Sequence, residues 1–197
     1  MAVWFGISFG WYGTVLWFPA YFAARDRGDG AAPPPPDALP GARPPPLDAR
    51  PFADQLAVAA ANLPGNALSL VLIDTLGRRA TLAASLAAGA LCALAFAAVP
   101  RENARAALAA ACAFNGVSVG AWNALDTYSA EVMPTAVRTT GLGLCSAASR
   151  LGAIAAQLLN ARLLTISLAA PLLPGAAVML LVRGRKIAQR MRMCVRR

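Results

Sequence analysis

Residues 80–99 read ATLAASLAAGALCALAFAAV, an uninterrupted apolar run without a charge. As an α-helix rising 1.5 Å per residue, a run of this length covers the roughly 30 Å hydrocarbon core of a bilayer. Backbone inside lipid must satisfy its own hydrogen bonds, which leaves helices and closed β-barrels. A barrel strand alternates apolar and polar residues, and this run does not. Five further stretches follow the same logic: Ala2–Ala23, Asp54–Ile73, Ala104–Tyr128, Thr139–Leu159 and Leu163–Val182. The sequence therefore predicts an all-α membrane protein of six transmembrane helices, with the lipid bilayer as its first partner. Composition agrees, because 58% hydrophobic and 14% charged residues with a mean hydropathy of +0.54 lie outside the balance of an ordinary soluble domain.

The first stretch is read as a span rather than a signal peptide, since it lacks a basic leader and carries aromatics throughout, from Trp4 to Tyr21. Between the first two spans lies a Pro-rich segment, residues 24–52, with Pro33–Pro36 and Pro44–Pro46. It is expected to be a disordered or polyproline II spacer on the non-cytoplasmic side. Residues 1–183 then form one six-helix transmembrane domain, and 184–197 a basic cytoplasmic tail. The net charge of +9 does not point to nucleic acid, because the basic residues fall in short runs between apolar segments. Counted by side, Arg78, Arg79, Arg138 and the seven basic residues from Arg183 onward share one face. The opposite face holds Arg25, Arg27, Arg43, Arg50, Arg101, Arg105 and Arg162. Ten against seven puts the first side, and with it both termini, in the cytosol.

Two cytoplasmic loops carry the most information. Asp74-Thr-Leu-Gly77-Arg78-Arg79 joins the second and third spans, with Gly77 allowing a tight reversal and the arginines offering forked donors. Glu131-Val-Met-Pro134-Thr-Ala-Val-Arg138 joins the fourth and fifth on the same face, with Pro134 stopping a helix. Glu131 and Arg138 are expected to cluster with Asp74, Arg78 and Arg79.

These loops resemble the second-half signatures of sugar-porter and organic-ion-transporter members of the major facilitator superfamily. The wording around them is similar to one branch, the synaptic vesicle glycoprotein 2 and its related protein, through Phe9-Gly-Trp-Tyr-Gly13, Leu63-Pro-Gly-Asn66, Gly116–Asp126 and Arg138-Thr-Thr-Gly141. The resemblance runs from about Trp4 to Leu164 and follows the order of the family's seventh to eleventh helices. It implies the C-terminal half of a twelve-helix transporter, with the paired loops acting as a cytoplasmic gate. It also implies movement of a small organic solute, an organic ion or a sugar, by alternating access between two halves. Met1 stands almost directly before the first span, so the partner expected is a missing N-terminal six-helix half or a second subunit. In the vesicle glycoproteins the loop after the seventh helix is long and glycosylated, whereas here it is short and holds no N-x-[ST] sequon. A plasma membrane or an intracellular vesicle membrane suits the resemblance, and a non-transporting membrane scaffold of the vesicle type is the alternative function.

Polar residues inside the spans are the candidate site. Arg150 falls near the middle of the fifth span, where a charge is costly unless a cavity, a solute or a counter-charge such as Asp126 meets it. Asn123 and Asp126, three apart, share a face near the cytoplasmic end of the fourth span. Trp11, Tyr12 and Trp17 either line a pocket or serve as belt and packing aromatics. Gly6, Gly10, Gly13, Gly141 and Gly143 are read as close helix packing. The chain has no histidine, and Cys92, Cys112, Cys145 and Cys194 fall singly, so no metal, cofactor or disulfide framework is expected. Nothing resembles a nucleophile–base pair, and no enzyme activity is expected.

Overall fold

The structure is a computed structural model and describes residues 1–19, 21–22, 49–100, 103–163 and 170–194. Seven α-helices lie among them: α1 (Ala2–Val15), α2 (Ala49–Ala60), α3 (Asn62–Leu76), α4 (Arg78–Ala98), α5 (Ala104–Val132), α6 (Arg138–Leu163) and α7 (Leu172–Cys194). Among the described residues no strand is present. Four helical segments are long and apolar enough to cross a membrane: Phe52–Leu76, Arg78–Ala98, Ala104–Val132 and Thr135–Leu163. Two more apolar helices, α1 and Leu172–Gly184, are shorter.

The boundaries follow local chemistry. Asn103 caps α5 by accepting from the Ala106 amide at 3.2 Å. Its far end stops because Met133, which precedes Pro134, is extended at φ −85° and ψ 130°. A short 3₁₀ turn, Thr135–Val137, then leads into α6. Gly77 is the single residue between α3 and α4 and adopts φ 84°, a conformation that side chains disfavour.

The second span holds as one apolar helical segment, Phe52–Leu76, in which Ala61 keeps helical dihedrals of φ −61° and ψ −17° while Pro64 withholds an N–H from the Ala60 carbonyl. One expectation needs correction: the Pro-rich segment expected to reach residue 52 already gives way to helix at Ala49, while its other residues lie outside those described. Helix α7 runs on through the basic stretch to Cys194.

Packing proceeds from α3 to α5, α4, α7, α1 and α6, each helix resting extensively on the next. The membrane windows of α4 and α5 are 44% buried, against 17% for Phe52–Leu76 and 22% for Thr135–Leu163, so the middle pair forms the centre and the ends of the series are flanks. Between the flanks, α1 and α5 approach each other only lightly, and α5 hardly touches α6. The bundle is an arc with one open side.

An aromatic cluster closes one end. Phe96 meets Trp17 at 5.6 Å, Phe18 at 5.2 Å and Tyr21 at 4.9 Å between ring centroids, and Phe18 meets Phe114 edge-on at 6.0 Å. All five are buried. Elsewhere small residues set the spacing. Gly65 of α3 lies backbone to backbone against Gly116 of α5. Gly6 and Gly10 face Val182 and Met179 of α7, Gly13 faces Ala156, and Gly141 faces Met133. Gly143 was expected to pack in the same way but borders open space. Cys92 and Cys112 are half-buried free thiols and Cys145 a buried one.

Candidate substrate site and charged loops

Along the open side of the arc α1 and α5 meet through aromatic side chains. Residues 4 and 11 of α1 are two turns apart on one face, and both turn toward α5. The indole of Trp122 stands between them, edge-on to Trp4 at 6.1 Å and to Trp11 at 6.0 Å. Trp4 donates from Nε1 to the Ser129 hydroxyl at 3.0 Å, which fixes the ring. Trp11 packs edge-on against Tyr12 at 4.7 Å. Behind Trp11 and Trp122, Ser85, Ser118 and Met179 close a crevice too tight to admit water. The Trp11 Nε1–H and the Ser118 hydroxyl are both buried there without partners. Of the two roles open to Trp17, pocket wall or packing, it takes the second, being 3% exposed in the aromatic cluster.

Helix α6 is tied to α1 at three levels. Ser8 and Ser149 share a hydroxyl hydrogen bond, Gln157 donates to the Tyr12 carbonyl at 3.0 Å, and Asn160 donates to the Gly13 carbonyl at 2.7 Å. Gly152 lies against the backbone of Phe5. Arg150 is the thirteenth of 26 residues in α6 and is exposed. It sits two turns from Gln157 on the same face, so it occupies the flank of α6 that borders α1. Among the described residues no ion pair joins it to Asp126, which is exposed on α5. The anticipated Arg150–Asp126 counter-charge is thus not formed in this conformation.

Asn123 is committed to packing. Its Nδ2 donates to Asn66 Oδ1 at 2.8 Å and to the Ser69 hydroxyl at 2.7 Å, tying α5 to α3. Sequence reasoning did not single out Trp122, Asn66, Ser69 or Gln157. Trp122 stands inside the Gly116–Asp126 resemblance and Asn66 inside Leu63–Asn66, but their packing depends on the register of neighbouring helices.

On the loop face, Arg78 and Glu131 do meet: Nη2 and Nε lie 2.9 Å and 3.0 Å from Oε1. Arg79 sits over the Tyr128 ring at 5.2 Å. Arg138 donates to the Met133 carbonyl at 3.4 Å and Asp74 is exposed, so neither joins the expected five-residue cluster. With both side chains of the ion pair 41% and 48% exposed, its worth is about 0.2–1 kcal/mol. Glu131→Arg should lower the thermal midpoint only slightly, and adding Arg78→Glu should restore it. Calorimetry of the two single variants and the double swap reads the coupling; additive losses would deny that the pair interacts.

Comparison with known proteins gives these loops and walls a context. A profile of sugar (and other) transporters matches residues 49–181. The chain is 30% identical to the niacin transporter NiaP of Acinetobacter baylyi over 156 residues, which is 79% of this chain and 31% of that protein. It is 35% identical to synaptic vesicle glycoprotein 2B of Rattus norvegicus over 129 residues, 66% of this chain and 18% of the relative. Against synaptic vesicle glycoprotein 2A of Homo sapiens it is 36% identical over 121 residues, 61% of the chain and 16% of the relative. The chain thus spans less than a third of the length of these relatives. With a match that runs from the first turn of α2 into α7 and takes in both charged loops, the chain belongs to the sugar (and other) transporter family of the major facilitator superfamily.

Proposed function

We propose that this chain supplies one six-helix half of a transporter that moves a small organic solute, an organic ion or a sugar, by alternating access. The observation that carries the reading is the open side of the arc, where α1 and α5 present Trp4, Trp11 and Trp122 and α6 brings Arg150 to the edge. Clustered indoles suit a flat or ring-shaped solute, and an exposed guanidinium in mid-helix suits an anionic group. The relative named for niacin supports a small organic solute. The second half comes from an N-terminal six-helix unit or a second subunit, and Arg78–Glu131 holds the cytoplasmic loops together in the state seen here. In this reading α1 and α7 complete the six spans, residues 1–183 form the membrane domain, and the basic end of α7 lies at the cytosolic surface. The membrane is the plasma membrane or that of an intracellular vesicle.

Similarity to the vesicle glycoproteins keeps a non-transporting scaffold as the alternative. Uptake into proteoliposomes containing the assembled halves, assayed against a panel of organic ions and sugars, separates the two. Saturable, solute-dependent flux supports transport, and its absence with every solute in a folded assembly supports the scaffold.

Topology has its own test. A cysteine placed at Ala42 should react with an impermeant maleimide on intact cells, while one at Ala80 should react only after permeabilisation. The reverse pattern would invert the orientation.

A further inference from the structure

The seam between α1 and α7 opens into a groove near the point where the apolar part of α7 stops. The two helices run antiparallel there, since Gly6 meets Val182 while Gly10 meets Met179. Beside that contact lies a cavity of about 380 Å³, walled by Ala2, Phe5 and Gly6 of α1 and by Val178, Leu181 and Val182 of α7. Every side chain in the wall is apolar. Phe5 and Leu181 are 38% and 67% exposed, so the groove faces outward from the bundle. Its volume falls within the roughly 300–1,000 Å³ that small-molecule sites occupy.

The chemistry changes one residue beyond the groove. Arg183 follows Val182 directly and is exposed, and residues 183–197 hold seven basic residues and no acidic one. Helical register carries this charge onto the groove's own face. Residue 185 comes four after Leu181 and three after Val182, residue 186 comes four after Val182, and they are Arg185 and Lys186. Arg183 stands off that face, because adjacent helical residues do not face the same way. In a bilayer an outward apolar groove fills with an acyl chain, whichever lipid supplies it. The basic stretch then selects among lipids, since cations at the membrane surface favour an anionic headgroup and the arginine fork matches a phosphate. A soluble phosphate or a nucleic acid would leave the groove empty, and a zwitterionic lipid would leave the cations uncompensated. We propose that α1 and α7 together hold an anionic phospholipid, its acyl chain along the groove and its headgroup at the level of Arg185 and Lys186. This site shares no residue with the candidate substrate site, and its test reads lipid binding rather than flux, so it stands or falls separately from the transport reading.

The test is native mass spectrometry of the purified protein released from vesicles of phosphatidylcholine and phosphatidylglycerol in equal parts. Phosphatidylglycerol should be retained in preference. Arg185→Gln and Lys186→Gln should each lower that preference about fivefold, the worth of one basic residue at an anionic surface, and Arg183→Gln should lower it less. Ala2→Phe separates the groove from the charge. Ala2 is exposed, so the larger side chain fills the groove without entering the core, and the thermal midpoint should hold. Retention of phosphatidylglycerol by this variant should fall to that of phosphatidylcholine although every basic residue remains. Equal retention of the two lipids by the unaltered protein would overturn the proposal. So would a preference that survives Arg185→Gln and Lys186→Gln together, or one that Ala2→Phe leaves intact, which would assign it to diffuse surface charge.

Discussion

Gly65→Leu is expected to prevent this chain from folding into its bundle. The α3–α5 crossing is made where Gly65 and Gly116 bring two backbones together, and an atom added at Gly65 would meet the Gly116 carbonyl, its carbon and its Cα. None of these can move aside as a flexible side chain does, so the helices must part. Parting them breaks the Asn123 bonds to Asn66 and Ser69 and the Asn115 bond to Val58, because all of these partners lie on the same seam. Overpacking in a core typically costs about 1–3 kcal/mol, and a backbone-against-backbone clash that also breaks hydrogen bonds belongs beyond the top of that range. Close approach of small residues is also how membrane helices associate when lipid supplies no hydrophobic drive. The expected readouts are loss of a monodisperse peak in size-exclusion chromatography and loss of cooperative unfolding. Gly143→Ala is the matching control, since that glycine borders open space and alanine favours helix, so its midpoint should hold or rise slightly. Wild-type behaviour of Gly65→Leu would mean that α3 and α5 do not cross there.

That crossing also shows where the sequence is readable and where it is not. Runs such as residues 80–99 announce helices by composition, and α4 begins and ends within two residues of the expected stretch. The helical class is thus legible from hydropathy alone. The irregularity at Ala61 is not, because the apolar run from Asp54 to Ile73 is continuous and hydropathy does not register the N–H that Pro64 lacks. Pro64 is the available signal, but a proline in a first helical turn is as compatible with a helix start as with a break. The candidate site is half legible for a similar reason. A charge at Arg150 stands out in an apolar run, and so does a loop carrying Asp74, Arg78 and Arg79. An indole does not, so Trp122 passes as one apolar residue among others until its register places it between Trp4 and Trp11. Asn123 stands out as polar yet serves packing rather than a cavity, and its partners Asn66 and Ser69 lie more than 50 residues away. Trp17 is the same kind of case: composition leaves it open between pocket wall and packing, and the register seals it into the end cluster with Phe18, Tyr21 and Phe96.

Transport by the assembled protein is expected to depend on Arg150, while the folded chain without a second half should show no flux. A lone half presents one wall of a cavity, and alternating access needs a second wall to rock against it, so only self-association offers the chain another route. Arg150 is placed to act on a solute rather than on the fold. It is exposed at the middle of α6, and its neighbour Ser149 already anchors the helix to Ser8. Removing the guanidinium should therefore shift the thermal midpoint by no more than about 2 °C, as exposed substitutions do. Its effect on an anionic solute should be much larger. Removing a charge-assisted hydrogen bond from a desolvated site costs about 2 kcal/mol or more, which is roughly a 30-fold fall in transport efficiency. Arg150→Lys keeps the charge but not the planar fork, so it should recover only part of that fall. For an uncharged sugar the same substitutions should change little, and that difference identifies the solute class. Uptake into proteoliposomes by the assembled protein, by the chain alone and by the two variants gives all of these comparisons in one preparation. Full activity of Arg150→Ala toward every anionic solute transported would remove Arg150 from the site, and flux from the unaccompanied monomer would overturn the half-site reading.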